Sequence, residues 1–123
     1  SSTVRERVAA LLQAQLNAVG ARVTLERVDI GTFVERQRDG RFDAAMGGWR
    51  VDPSPGGIRQ TWGTPGNRGR GGSNPGGYAS ARFDAQVDSA LDAGDLARSR
   101  RQWVRAIQTI VDDAPALWLF EPT

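Results

Sequence analysis

Three side chains in the stretch RFDAAMGGWRVDPSP, residues 41–55, could do chemistry together: Trp49, Arg50 and Asp52. An indole offers a flat apolar wall and a face on which a cation or ring can stack. A carboxylate three residues on can hold a cation, and holds it far better in a closed, low-dielectric cleft than on an open surface. Arg50 beside the acid could neutralise it, and the many arginines of the loop that follows could favour an acidic ligand instead. A core tryptophan followed by a turn-forming Asp-Pro accounts for the same residues, and local pattern alone leaves that reading open.

An element must carry these groups to one place. Phe42 to Trp49 reads as a strand rich in small residues (Ala44, Ala45, Gly47, Gly48), which allow backbone or ligand to approach closely. The carboxyl end of a strand in an α/β sheet is where such folds place their binding groups.

Composition narrows the options. The 123 residues suffice for one domain with one modest core; 39% hydrophobic and 24% charged residues place the chain among soluble globular sequences. No apolar run approaches the roughly 20 residues of a membrane span. The opening SSTVRERV already reads as a helix start, so the chain reads as a mature or excised segment with no visible signal. There is no cysteine and no histidine, which argues against disulfides, thiol nucleophiles and most transition-metal sites; no cofactor and no metal is expected. All 16 basic residues are arginine, and the net charge of +2 does not by itself indicate a nucleic-acid partner.

In chain order, residues 2–19 read as an amphipathic helix with Val4, Val8, Leu11, Leu12, Leu16 and Val19 on one face. Thr3 and Glu6 form a capping-box pattern, and Gly20 stops the helix. Residues 22–30 read as a strand and 32–39 as a short helix opened by Thr32 and Glu35 and closed near Gly40; strand 42–49 follows. Strand, helix, strand suggests a right-handed parallel crossover. Residues 50–81 read as a long Gly/Pro-rich loop: 50–80 hold nine of the 15 glycines and four of the six prolines. Helix 82–93 is expected to bury Phe83, Val87, Ala90 and Leu91. Helix 95–111, N-capped by Asp95, is expected to bury Trp103, Ile107, Ile110 and Val111. The apolar run 116–120 reads as a last strand. The expected fold is α/β, a small, mostly parallel sheet packed by helices, in one partial domain spanning 1–123.

Other motifs weigh less. Residues 63–69 superficially resemble a phosphate loop but lack its Lys-Ser/Thr ending. The run Arg68 to Gly72 resembles an arginine–glycine RNA-binding segment in a single short copy. Asp84, Asp88 and Asp92 share one helix face, which reads as a solvated face. Asp112 and Asp113 sit at a helix C-terminus, where negative charge is disfavoured, so a partner is expected, an arginine being one choice.

Several segments in sequence resemble the extracellular solute-binding proteins of peptide-type ABC importers, the oligopeptide- and dipeptide-binding group. They are Val8 to Leu16 with Val19-Gly20, Val23 to Glu26, Phe42 to Met46 with Gly48-Trp49, Asp52-Pro53, Asn74 to Tyr78, Phe83-Asp84, Asp113 to Pro115 and Leu117 to Phe120. The resemblance covers nearly the whole chain and implies part of the C-terminal lobe of a two-lobed periplasmic or surface-tethered receptor. It implies a peptide or small-solute ligand, a membrane permease as partner and no enzymatic activity. It gives Asp52 the ligand's terminal ammonium and Trp49 an apolar wall; Arg50, Trp62 and Asn74 are further candidate ligand contacts. It also implies a strand between 22–30 and 42–49 that this chain lacks. Open strand edges are templates for pairing, so self-association is expected. The rival reading is an arginine/glycine-loop module for anions or RNA. A hydrolase using Asp84 or Asp112/Asp113 ranks far behind.

Overall fold

The computed structural model describes residues 3–48, 55–67 and 73–120. Its elements are helices α1 (Thr3–Ala18), α2 (Ile30–Asp39), α3 (Pro55–Trp62), a 3-10 turn (Thr64–Asn67), α4 (Ala81–Leu91) and α5 (Leu96–Asp113). The backbone divides into two compact units, 1–49 and 50–123.

The expected α/β sheet is absent: among the described residues every regular element is helical. The three segments read as strands, 22–30, 42–49 and 116–120, run as irregular chain through their described parts. The reason is that a ladder belongs to two segments, and β-propensity in one of them leaves half the hydrogen bonds unmade. Within segment 21–29 the Val23 backbone instead bonds to side chains of α1. The Val23 amide donates to Asn17 Oδ1 at 3.0 Å, and Gln13 Nε2 donates to the Val23 carbonyl at 2.8 Å. Arg27 pairs with Glu6 of α1, and Glu26 with Arg36 of α2. Among the described residues there is accordingly no strand edge of the kind expected to drive self-association.

The first unit has no fully buried residue on either helix. The apolar face of α1 forms as spaced in sequence, yet Val4, Leu11, Leu16 and Val19 stay exposed, while Val8 and Leu12 are half-buried. Helix α2 is capped three residues earlier than its Thr32 capping box implied. Asp29 is the N-cap, accepting from the Thr32 amide at 3.0 Å and the Thr32 hydroxyl at 2.6 Å. Both bonds run one way, from Thr32 to the Asp29 carboxylate, so this is a doubly bonded N-cap in place of a reciprocal capping box. Gly40 closes α2 at φ 66, a left-handed cap that glycine adopts without strain.

The second unit is organised by the α4–α5 hairpin. Phe83 and Val87 of α4 meet Ala106 and Ile110 of α5, all buried, with Ile58, Trp62, Tyr78 and Trp103 packed on the rim; Ala90 of α4 is buried as well. Ser80 caps α4 through the Phe83 amide, and Asp95 caps α5 through the Arg98 amide at 2.7 Å. The Ser99 hydroxyl donates to the Ala90 carbonyl, closing the joint between the helices. Three inward assignments are corrected: Leu91 of α4 and Ile107 and Val111 of α5 are exposed, and on α5 Ala106 and Thr109 take the buried positions. A threonine was an unpromising core candidate, but its hydroxyl is satisfied by Gln86 Oε1 at 2.8 Å and by the Arg105 carbonyl. The 50–81 stretch is not all loop; it contains α3 and the 3-10 turn.

Candidate functional site

Of the five candidate ligand contacts, Trp49, Arg50 and Asp52 lie outside the described residues. Trp62 and Asn74 are placed, and both belong to one cluster in the second unit.

Trp62 is the last residue of α3. Its indole meets Trp118 edge-on at 5.3 Å and Tyr78 at 6.3 Å, and Tyr78 in turn meets Phe83 at 6.0 Å. These T-shaped contacts set the positive edge of one ring on the negative face of the next. The result is an aromatic chain from the core at Phe83 outward to Trp118, which is 59% exposed. It forms an apolar wall that is half core and half surface.

Asn74 is buried, at 3% exposure. Its side-chain amide donates to the Tyr78 carbonyl at 2.8 Å and the Gly63 carbonyl at 3.2 Å. One donor group therefore holds the turn before Tyr78 against the end of α3. Gly63 suits that junction. A Cβ there would lie 2.5 Å from the Arg59 carbonyl, which already accepts from the Gly63 amide at 2.8 Å. The nitrogen of Asn74 is thus committed to positioning backbone.

Two aspartates of the face read as solvated fasten the same region. Asp84 accepts from the Thr64 amide at 3.1 Å, capping the 3-10 turn from a neighbouring helix. Asp88 pairs with Arg59 at 2.9 Å. Asp92 only ends α4. Asp112 and Asp113 do have partners, neither of them an arginine: Gln108 donates to Asp112, and the Tyr78 hydroxyl donates to Asp113 Oδ2 at 2.6 Å. Burial, followed by the Asp113 carboxylate, pushes the Tyr78 phenol above its ordinary value. Sequence reasoning did not single out Tyr78, Asp84 or Trp118 as parts of one assembly. The available signal was an aromatic at each end of a Gly-rich stretch, with carboxylates facing it at helical spacing.

Among the described residues no cluster of three or more acidic, cysteine or histidine side chains could hold a metal ion, and no helix is long and apolar enough to cross a membrane. The cluster offers an aromatic wall and braced backbone.

Comparison with known proteins gives this arrangement its class. Residues 1–70 match the family of bacterial extracellular solute-binding proteins, family 5 Middle, and the chain belongs to that family. It is 29% identical over 123 residues to the probable D,D-dipeptide-binding periplasmic protein DdpA of Escherichia coli strain K12, covering 94% of this chain and 22% of that protein. Its backbone resembles that of the ABC transporter-associated periplasmic binding protein DppA from Helicobacter pylori, solved in complex with the peptide STSA. The TM-score is 0.81 at 23% identity, over 89% of this chain and 22% of that one. The chain therefore spans about a fifth of the length of these relatives.

Proposed function

We propose that the chain is part of the substrate-binding component of an ABC importer, which captures a peptide or similar small solute outside the cytoplasmic membrane by closure of two lobes. The observation that carries this is the family match over residues 1–70, a span that includes Trp49, Arg50 and Asp52. One relative is a probable D,D-dipeptide-binding protein and the other was solved in complex with a peptide, which supports a peptide as ligand. A membrane permease is the partner that such a receptor serves. Binding shifts the open–closed population, and the closed form is the one that docks.

Within that reading Asp52 holds the ligand's terminal ammonium and Trp49 walls the site, while the Trp62–Tyr78–Trp118 chain braces the segment that follows. The test uses a full-length receptor containing this segment. Calorimetry should show a free-amine dipeptide binding and its N-acetylated form binding much more weakly. Asp52→Ala should cost about 10- to 100-fold in affinity for the free amine, as for a lost hydrogen bond to a charged group. Unchanged affinity in the variant would remove Asp52 from the site; no binding of any peptide would remove the ligand class. Nothing in the comparisons supports the arginine/glycine-loop RNA module.

A further inference from the structure

Gly48 is the last described residue of the first unit, one position before Trp49. Its backbone does not demand glycine: among the described residues the glycines with positive φ are Gly20, Gly40 and Gly77. What glycine supplies at 48 is room. A Cβ there would lie 3.2 Å from Arg5 Nη2 and 4.0 Å from Arg5 Cζ, so the guanidinium covers that side of the backbone. Gly20, Gly40, Gly76 and Gly94 face open space in the same direction, so the crowding at 48 is particular to this place.

Arg5 reaches Gly48 from the first turn of α1, the opposite end of the unit in sequence. Its neighbour Glu6 pairs with Arg27. One helical step of about 100° thus sends adjacent side chains to different segments, Glu6 to 21–29 and Arg5 to 41–48. Neither helix of this unit has a buried residue, so contacts of this kind carry much of the work of locating its segments. A guanidinium suits the task. It is flat, permanently charged and carries five donors in a rigid fork, so it can lie along a peptide surface that an ammonium touches only as a point charge.

We infer that Arg5 is a positioning residue for the ligand site: seated on Gly48, it fixes the backbone immediately ahead of Trp49 and Asp52. This rests on the peptide-receptor reading above and adds to it a residue from the start of α1. Arg5 acts through Gly48 and not on the ligand itself. Trp49 is the next residue, and Asp52 follows within about 14 Å of chain at full extension, so any looseness at 48 is passed on to both. Leaving one backbone residue to be ordered by the ligand costs affinity about 5- to 30-fold. Glycine at 48 and arginine at 5 form one device, because any Cβ at 48 displaces the guanidinium.

Calorimetry on a full-length receptor containing this segment, with a free-amine dipeptide, tests this. Arg5→Ala and Gly48→Ala should each weaken binding by about fivefold or more, with unchanged stoichiometry and little change in melting temperature. The fold tolerates the alanine at 48 because the atom in its way is the far end of a flexible side chain. In the Arg5→Ala background, Gly48→Ala should cost nothing further, since the space is then empty; that non-additivity is the signature of the pair. Arg5→Lys should stay near the weakened level, and the preference for the free amine over its N-acetylated form should persist in every variant. A wild-type receptor that binds no peptide removes the ligand class and this proposal with it. A receptor that binds peptide equally well with and without Arg5 overturns this proposal alone. So do additive losses in the double variant, and so does full recovery by Arg5→Lys, which would show that charge suffices without the seat on Gly48.

Discussion

The Tyr78 hydroxyl donates to Asp113 Oδ2 at 2.6 Å, joining the end of the Gly-rich stretch to the last residue of α5 across 35 positions of sequence. It also answers the misplaced charge at that helix end, since a hydrogen bond to the carboxylate offsets the unfavourable dipole. Tyr78→Phe keeps the ring in contact with Trp62 and Phe83 and deletes only the donor. Thermal unfolding should report a loss of about 1 kcal/mol, the size of one side-chain hydrogen bond. The pH dependence is a second readout. The phenol is raised above its ordinary 10.0, first by burial and then by Asp113. Its contribution is therefore fully present below pH 10 and lost as pH rises through the folded-state value. The alkaline arm of the stability profile should flatten in the phenylalanine variant; an unchanged arm would assign it to another group.

Asp84 and Asp88 stand one helical turn apart and both reach the α3 region, yet their loss should differ. Asp84→Ala leaves the part-buried Thr64 amide without its acceptor, which should cost about 1–2 kcal/mol and speed hydrogen exchange at Thr64. Asp88→Ala breaks an ion pair whose side chains are about half exposed, worth at most roughly 0.5–1 kcal/mol. Added salt should erase the Asp88 effect and leave most of the Asp84 effect. Equal losses would mean that the amide finds another acceptor.

Ala114 ends α5 at φ 45, a left-handed conformation in which its Cβ is strained, while its amide caps the helix on the Ile110 carbonyl. Glycine adopts this geometry freely. Ala114→Gly should therefore stabilise the second unit by about 0.5–1 kcal/mol, despite the larger entropy of glycine in the unfolded chain. A decrease in melting temperature would show that the left-handed cap is not populated in solution.

Asp29 is held below its ordinary carboxylate value of 3.8, first by the Thr32 hydroxyl and then by the Thr32 amide. A depressed carboxylate contributes stability above its unfolded value and loses it as pH falls through its folded value. NMR titration should show the Asp29 carboxyl protonating below the ordinary range, with the α2 amides shifting in step. Thr32→Val deletes only the hydroxyl and should move that titration upward. A midpoint unmoved by Thr32→Val would place the cause elsewhere.

The sequence announced its helices well where capping and periodicity coincide. Asp95 and Gly40 mark their helix ends as expected, and Phe83, Val87, Ala90 and Ile110 form the core that spacing picked out. It misjudged cases that depend on a distant partner. Val23 to Ile30 has strand-forming residues, but its amide and carbonyl at Val23 found Asn17 and Gln13 of a helix in place of a second strand. Ile107 and Val111 are apolar on a helical period and were assigned inward, whereas Thr109 holds the buried position because Gln86 of the opposite helix satisfies its hydroxyl. Of the candidate site, Trp62 and Asn74 were legible as residue types, but their joint task of bracing Gly63 and Tyr78 was not.

What the sequence determined alone is therefore local or compositional: helix positions, caps, the absence of thiol and imidazole chemistry, and an ordered set of short motifs specific enough to mark the family. What only the tertiary structure decided is pairing: which carboxylate holds which amide, which aromatic edge meets which face, and which apolar residues of α5 are core. Caps and periodicities are fixed by neighbours within about four residues, so they can be read along the chain. Burial and long-range hydrogen bonds depend on groups tens of residues away, and one strand-like segment cannot specify whether its mate exists.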